Sequence, residues 1–303
     1  VIRQKEWNER NNIDFKVGLT GKTTQHNKSW TTNNQNSISG ELAAYYYHIY
    51  SKNKYSSTFR FDGIYGVNFI DEAWFKNQDK LTLYYLISWK VRDRGALRNW
   101  AYSFAGTFTS QFAEGYKSRT EKILLSNFMA PGRVKLDGGF TYKSPNRKLP
   151  FVLTVNPIAG ETLFVLDDVI DDEQRKKLGL TAARRADGSL VRHKMEGGSS
   201  VRVDFNRTFA LGRRGSTLQY NTTLSSFYGW MTQASRNNVA KSGEAQPERI
   251  MPTGEWTNIV SFNPLRFIML EFRTTARYDK SQIDRIQMQY YLSAGLTYRF
   301  KNR

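Results

Sequence analysis

Cysteine is absent from the 303 residues, which excludes disulfides and thiolate metal sites. Histidine is scarce: His26, His48 and His193 are far apart and lack the spacing of a metal-ligating pair. Long apolar runs are missing as well. No stretch approaches the roughly 18 uninterrupted apolar residues of a membrane helix, and mean hydropathy is −0.60. Helical membrane spans are therefore excluded. A barrel is not, because a spanning strand needs only about ten residues with every second one apolar. There is no Gly-rich phosphate loop, paired-carboxylate motif, internal repeat or low-complexity tract, and no Pro/Gly-rich linker marks a domain boundary. No cofactor is expected. The chain opens on the polar run Val1 to Asn12 with no signal peptide, and a secretory segment is expected to have been removed or left out of this sequence.

What is abundant is positive charge and aromatic side chains. The net charge is +18 and 14% of residues are Phe, Trp or Tyr. Such a surplus calls for an anionic partner. A nucleic-acid binder clusters its basic residues on one face or one recognition helix, whereas here Lys and Arg recur at every second residue of short runs. No nucleic-acid partner is expected.

Those short runs alternate apolar with polar. Tyr290, Leu292, Ala294, Leu296, Tyr298 and Phe300 interleave with Tyr291, Ser293, Gly295, Thr297 and Arg299; Ile268, Leu270, Phe272, Thr274, Ala276 and Tyr278 interleave with Met269, Glu271, Arg273, Thr275 and Arg277. The same pattern covers Phe59–Phe69, Leu81–Val91, Trp100–Phe112, Val201–Leu211 and Leu218–Trp230. Weaker alternation covers 13–20, 38–50, 134–143, 151–157 and 256–262. The spacing predicts about twelve strands in an all-β, antiparallel, up-and-down transmembrane barrel from residue 12 to 303, preceded by an N-terminal tail over 1–11.

Connections alternate short and long. Lys52-Asn53-Lys54, Ala96-Leu97-Arg98, Ser144-Pro145-Asn146-Arg147, Arg213-Arg214-Gly215 and Asn263-Pro264 read as tight turns. This is the asymmetry of outer-membrane barrels, with short periplasmic turns, long extracellular loops and both termini periplasmic. Trp74, Trp89, Trp100, Trp230 and Trp256 near strand ends match interfacial girdles. The longest loop, about 167–199, predicts a short helix capped by Asp171 or Asp172, with Glu173 in its first turn and Gly179 ending it.

The last strand places a polar residue, a glycine and two aromatics, Ser293, Gly295, Tyr298 and Phe300, at the spacing of a C-terminal outer-membrane assembly signal. Four further strings, Trp30–Gly40, Thr109–Tyr116, Leu125–Gly132 and Asn156–Leu163, resemble a Bacteroidota family of outer-membrane β-barrels described only as a domain of unknown function. The resemblance implies location and fold and supplies no catalytic residue.

Inward positions bring Arg60, Lys90, Arg92, Arg202, Arg273, Arg277 and Arg299 together with Asp62, Asp204 and Glu271, and these charges are expected to pair across the lumen. Arg175, Lys176, Lys177, Arg184, Arg185, Arg192 and Lys194 form a basic loop suited to docking on lipopolysaccharide phosphates or an acidic protein. The acidic run Asp167 to Glu173 lacks calcium-loop spacing. His48 shares a face with Leu42 and Tyr46 and points to lipid. The expected function is a non-enzymatic outer-membrane barrel serving as an accessory subunit of a larger complex in protein biogenesis or export. Its expected partners are outer-membrane lipid, lipopolysaccharide and other outer-membrane proteins or lipoproteins. A small, weakly anion-preferring solute channel is the alternative, and a barrel hydrolase comes third.

Overall fold

A computed structural model describes residues 10–26, 37–70, 73–116, 123–146, 148–180, 182–211, 216–231, 252–265, 267–279 and 283–301. Twelve long strands close into one antiparallel barrel. In chain order they are β1 (Asn11–His26), β2 (Ser37–Lys52), β3 (Tyr55–Ile70), β4 (Ala73–Lys90), β5 (Trp100–Ser110), β8 (Gly132–Lys143), β9 (Phe151–Phe164), β10 (His193–Leu211), β11 (Ser216–Tyr228), β12 (Thr253–Leu265), β13 (Ile268–Asp279) and β14 (Ile283–Lys301). Between β5 and β8 the long connection forms a small hairpin, β6 (Gly115–Tyr116) with β7 (Leu124–Ser126), which alternation could not reveal in segments so short. Each long strand pairs with its neighbour in sequence, and β1 pairs with β14 to seal the wall. The short turns, the start of β1 and the end of β14 all lie at one end of the barrel.

Closure explains why a chain of low mean hydropathy adopts this shape. A sheet with one greasy face must cover it, and a barrel with no free edge satisfies every strand's backbone internally. The greasy face points outward. Leu19, Leu42, Tyr85, Phe104, Leu136, Leu224, Phe272, Leu292 and Leu296 are all exposed. Aromatic side chains collect near the short-turn end, where Tyr55 packs on Trp89 at 5.5 Å and Trp100 on Tyr142 at 5.2 Å. Trp230 and Trp256 occupy the opposite end and donate Nε1–H to Ser199 and Thr222, at 2.9 Å each. Buried apolar residues cluster elsewhere. Leu124, Ala130, Leu163, Val165, Ile170 and Leu180 form a small core where the two longest described loops fold onto β8, β9 and β10 at the long-loop end.

Two turns differ from expectation. Asn263 and Pro264 belong to β12, at a register shift between Phe262 and Leu265; proline lacks the N–H a regular ladder would need, so it sits where the ladder is already broken. The turn Arg213–Gly215 lies outside the described residues. Glycines mark three other tight places. A Cβ on Gly139 would stand 2.1 Å from the Val155 carbonyl oxygen, and one on Gly198 would stand 2.0 Å from that of Tyr228. Both flank register shifts, between Gly138 and Phe140 and between Gly198 and Ser200. The third is Gly295 on the β1–β14 seam, where a Cβ would meet the Leu19 carbonyl oxygen at 2.4 Å.

Gly295→Val is therefore expected to destabilise the barrel by about 3 kcal/mol through overpacking of the seam, whereas the outward Ala294→Val should be tolerated. Refolding of purified protein into detergent, followed by the heat-dependent gel shift, reads the difference without any assembly machinery. Equal refolding of the two variants would show that the seam has room.

Candidate lumen wall and long-loop cap

The inner face is built by strand alternation, and it brings the expected charges together in an unexpected geometry. Arg60 contacts Asp62 at 2.8 Å, Arg202 grips Asp204 through two 2.7 Å hydrogen bonds, and Arg273 reaches Glu271 at 2.9 Å. Each pair joins residues two apart on a single strand, β3, β10 or β13, so these charges are not neutralised across the lumen as the sequence led us to expect. The reason is spacing. Positions i and i+2 project from the same face of one strand, close enough for a guanidinium to bend onto its neighbour, while a carboxylate on the far wall lies across the whole barrel. Lys194 and Glu196 repeat the motif at 2.6 Å near the long-loop end of β10. Arg133 and Glu161, on neighbouring strands, add a contact of 2.5 Å.

These pairs lie along the wall, and two of the three same-strand guanidiniums stay about half exposed. The Arg60 and Arg202 side chains are 46% and 51% exposed although they point inward. Arg273, whose Nε has no hydrogen-bond partner in the protein, lines a cavity of about 70 Å³ with Lys16, Glu41, Tyr45, Glu271 and Tyr291. Lys135 lies 5.9 Å from the centre of the Phe227 ring and Arg60 5.8 Å from that of Tyr84, both within range of cation–π attraction. Arg277 stands opposite Glu255 in the β12–β13 register. Lys90 ends β4 and Arg92 sits beyond it in the turn; Arg92 is thus a rim residue, not a lumen one, because the strand stops before reaching it. The side chain of Arg299 is outside the described ones.

The basic loop is also rearranged. Its helix forms as expected: α1 (Asp172–Lys177) is capped by Asp171, whose Oδ1 accepts from the Gln174 N–H at 2.7 Å, and Gly179 leaves the helix at φ +114°, a conformation open to glycine. Arg175, expected on a docking surface, is fully buried. Its guanidinium donates to the carbonyls of Ile170 at 3.0 Å and of Val165 and Val191 at 3.2 Å, and also to that of Asp167. It is the peg around which the loop folds. Asp168 then takes Arg192 at 2.5 Å, Asp172 takes Arg184 at 2.7 Å and Glu173 takes Lys177 at 2.7 Å. The acidic run Asp167 to Glu173 thus neutralises much of the basic one, leaving Lys176 and Arg185 exposed.

Sequence reading missed a second anchor. The Asp79 carboxylate accepts from the backbone N–H groups of Phe112 and Ala113 at 2.8 Å each and from Lys76 Nζ at 3.0 Å, clamping the 111–116 loop against β4. The string Thr109–Tyr116 supplies the two backbone donors, but Asp79 and Lys76 lie outside it. Leu125–Gly132 forms the turn beneath α1, where Asn127 donates to Asp167 at 2.8 Å and Gln174 to the Leu125 carbonyl at 3.0 Å. Asn156–Leu163 contains the β9 bulge, with Asn156 donating to Ser200 at 3.0 Å. These idiosyncratic residues hold loops and bulges in place. His48 faces outward and its Nε2 shares a 2.9 Å hydrogen bond with Asn11 Oδ1; His193 opens β10 and is exposed. The assembly-signal residues split by face: Tyr298 and Phe300 are outward, 70% and 53% exposed, while Ser293 and Gly295 lie on the inward register.

Comparison with known proteins gives a family match described as "Protein of unknown function (DUF3078)", over residues 22–116. That range contains the strings Trp30–Gly40 and Thr109–Tyr116 and ends before the other two. No curated protein matches the chain. Among solved structures, the COG4313 outer membrane channel from Pseudomonas putida F1 is similar at 10% identity and TM-score 0.43, over 96% of each chain. Outer membrane phospholipase A from Escherichia coli, in an active-site mutant form, is similar at 10% identity and TM-score 0.43, over 93% of this chain and 89% of that one. The translocator domain of the autotransporter NalP from Neisseria meningitidis is similar at 9% identity and TM-score 0.38, over 96% and 88%.

Two outcomes follow from the cap. Arg175→Met leaves buried carbonyls without a donor and should cost about 3 kcal/mol of local stability, so the 165–192 loop should be cut by protease far faster than in Lys176→Met; equal cleavage would deny the peg. At the exposed tip, hydrogen bonds from the Ser189 hydroxyl and N–H hold the Asp187 carboxyl below its ordinary range. A depressed folded pKa means that the turn's stabilisation is present above the usual carboxylate value and is lost as pH falls through the folded one. The Ser189 amide resonance should accordingly shift in acid below the ordinary aspartate range, and Asp187→Asn should abolish the shift.

Proposed function

We propose that this chain is an integral outer-membrane barrel that admits small hydrophilic solutes through a water-filled lumen with a weak preference for anions. The observation that carries this reading is the wall-bound ion pairing. Because Arg60, Arg202 and Arg273 find their carboxylates on their own strands, the centre of the lumen is not crossed by these pairs, and two of the three guanidiniums stay about half exposed. The outer-membrane address is supported by a closed wall, a greasy outward belt and aromatic residues at both of its edges. On this reading the short turns and both termini are periplasmic, and lipid and lipopolysaccharide surround the belt. Anion preference comes from Lys80, Lys90, Lys135 and Lys143, inward cations outside the ion pairs above, which outnumber the inward carboxylate Asp137.

A second reading, an accessory subunit of a larger outer-membrane complex, is favoured by apolar side chains exposed on the cap, Phe128 and Val169, which offer a surface to another outer-membrane protein or lipoprotein. The charges once expected to dock such a partner are largely committed within the loop. We further propose that the barrel is not an enzyme, since His48 is held on the outer face by Asn11 with neither serine nor carboxylate in that bond.

Purified barrel in a planar bilayer should give small, stable conductance steps with anions favoured severalfold or less over cations. Arg273→Gln with Arg277→Gln should push selectivity toward cations by leaving Glu271 and Glu255 unbalanced. A silent barrel that co-purifies with a stoichiometric partner would replace the channel by the subunit.

A further inference from the structure

The positive surplus is unevenly placed. In the short connections 52–55, 90–99 and 143–150, nine residues are Lys or Arg, and Asp93 is the single carboxylate; it contacts Lys54 at 3.4 Å. At the opposite end the cap's basic residues meet Asp168, Asp172 and Glu173. The three connections are contiguous in space, because the barrel order runs β2, β3, β4, β5, β8, β9, β10. Lys54, Arg94, Arg98 and Lys148 therefore form one exposed basic arc outside the lumen. Leu97 and Leu149 protrude from the same turns, 43% and 52% exposed, and the Trp89, Trp100 and Tyr142 aromatics lie just inside them.

Arg207 on β10 makes the arc specific. Alternation places it outward, between Phe205 and Phe209, on the face that meets lipid. Its guanidinium sits 4.8 Å from the Phe209 ring centre, and Nη1 donates to the Lys148 carbonyl at 2.8 Å. Among the described residues no carboxylate is paired with it. An arginine on a lipid-facing wall is costly unless it reaches an anion, and here it is bent toward Lys148 at the rim, at the depth where headgroups lie. Protruding leucines beside cations suit insertion among acyl chains, not contact with an acidic protein.

We propose that this rim binds anionic phospholipid headgroups of the adjoining leaflet, with Arg207 and Lys148 holding a phosphate and the remaining arc raising local affinity. The proposal rests on the membrane reading above, and its test separates the two.

Full-length barrel in detergent is offered equimolar phosphatidylglycerol and phosphatidylcholine, and retained lipid is read by native mass spectrometry. Phosphatidylglycerol should be retained about tenfold over phosphatidylcholine, as a cluster of several basic groups implies. Arg207→Gln with Lys148→Gln should bring the ratio near one; Arg207→Lys should keep part of it, and Lys176→Gln on the cap should leave it unchanged. The heat-dependent gel shift verifies that each variant folds. Equal retention of the two lipids by wild type overturns the rim alone if the barrel still inserts into phosphatidylcholine vesicles. So does a lipid preference indifferent to Arg207 and Lys148, or capture of an acidic protein without lipid preference. Failure to insert into any bilayer overturns both readings.

Discussion

The pairing of β1 with β14 is the constraint on which the rest depends. Every other barrel ladder joins long strands that follow one another along the chain, but this one joins Phe15 to Phe300 and Val17 to Tyr298 across the whole chain. Until it forms, two strands present unpaired backbone to their surroundings, which an apolar medium penalises heavily. Once it forms, inside and outside are defined for all twelve strands together. The position of Gly295 in this seam gives the C-terminal strand a packing requirement independent of any recognition by assembly factors.

Closure also sets the electrostatics. Inward side chains cannot escape to bulk solvent by tilting, so charges must be matched locally or remain hydrated in the lumen. Pairing along a strand meets that demand with residues that already share a face. The cap solves a different problem by another route: Arg175 is withdrawn from water and its hydrogen bonds go to backbone carbonyls, which fixes the path of a loop that has little apolar core of its own.

The barrel was legible because its period is two and its outward belt is exposed. Leu81 to Trp89 or Tyr290 to Phe300 betray their strand at once, and the helix with its Asp171 cap was equally readable, since capping is local chemistry. Pair geometry was not. Alternation assigns Arg60, Asp62, Arg202 and Asp204 to a face without saying whether they meet along a strand or across a cavity; that depends on barrel width. Arg175 was misread because a lone arginine within a basic run carries no mark of burial, which follows from loop packing over β8 to β10. The anchoring by Asp79 joins residues far apart in sequence, and only the folded loop unites them.

Pairs carried within single strands make the lumen modular. A hairpin that brings both an arginine and its carboxylate can be duplicated or lost without stranding a charge elsewhere, whereas cross-lumen pairs would tie distant strands to one another. Lineages of such barrels could change strand number, and so diameter, while leaving the net charge of the interior unchanged at each step.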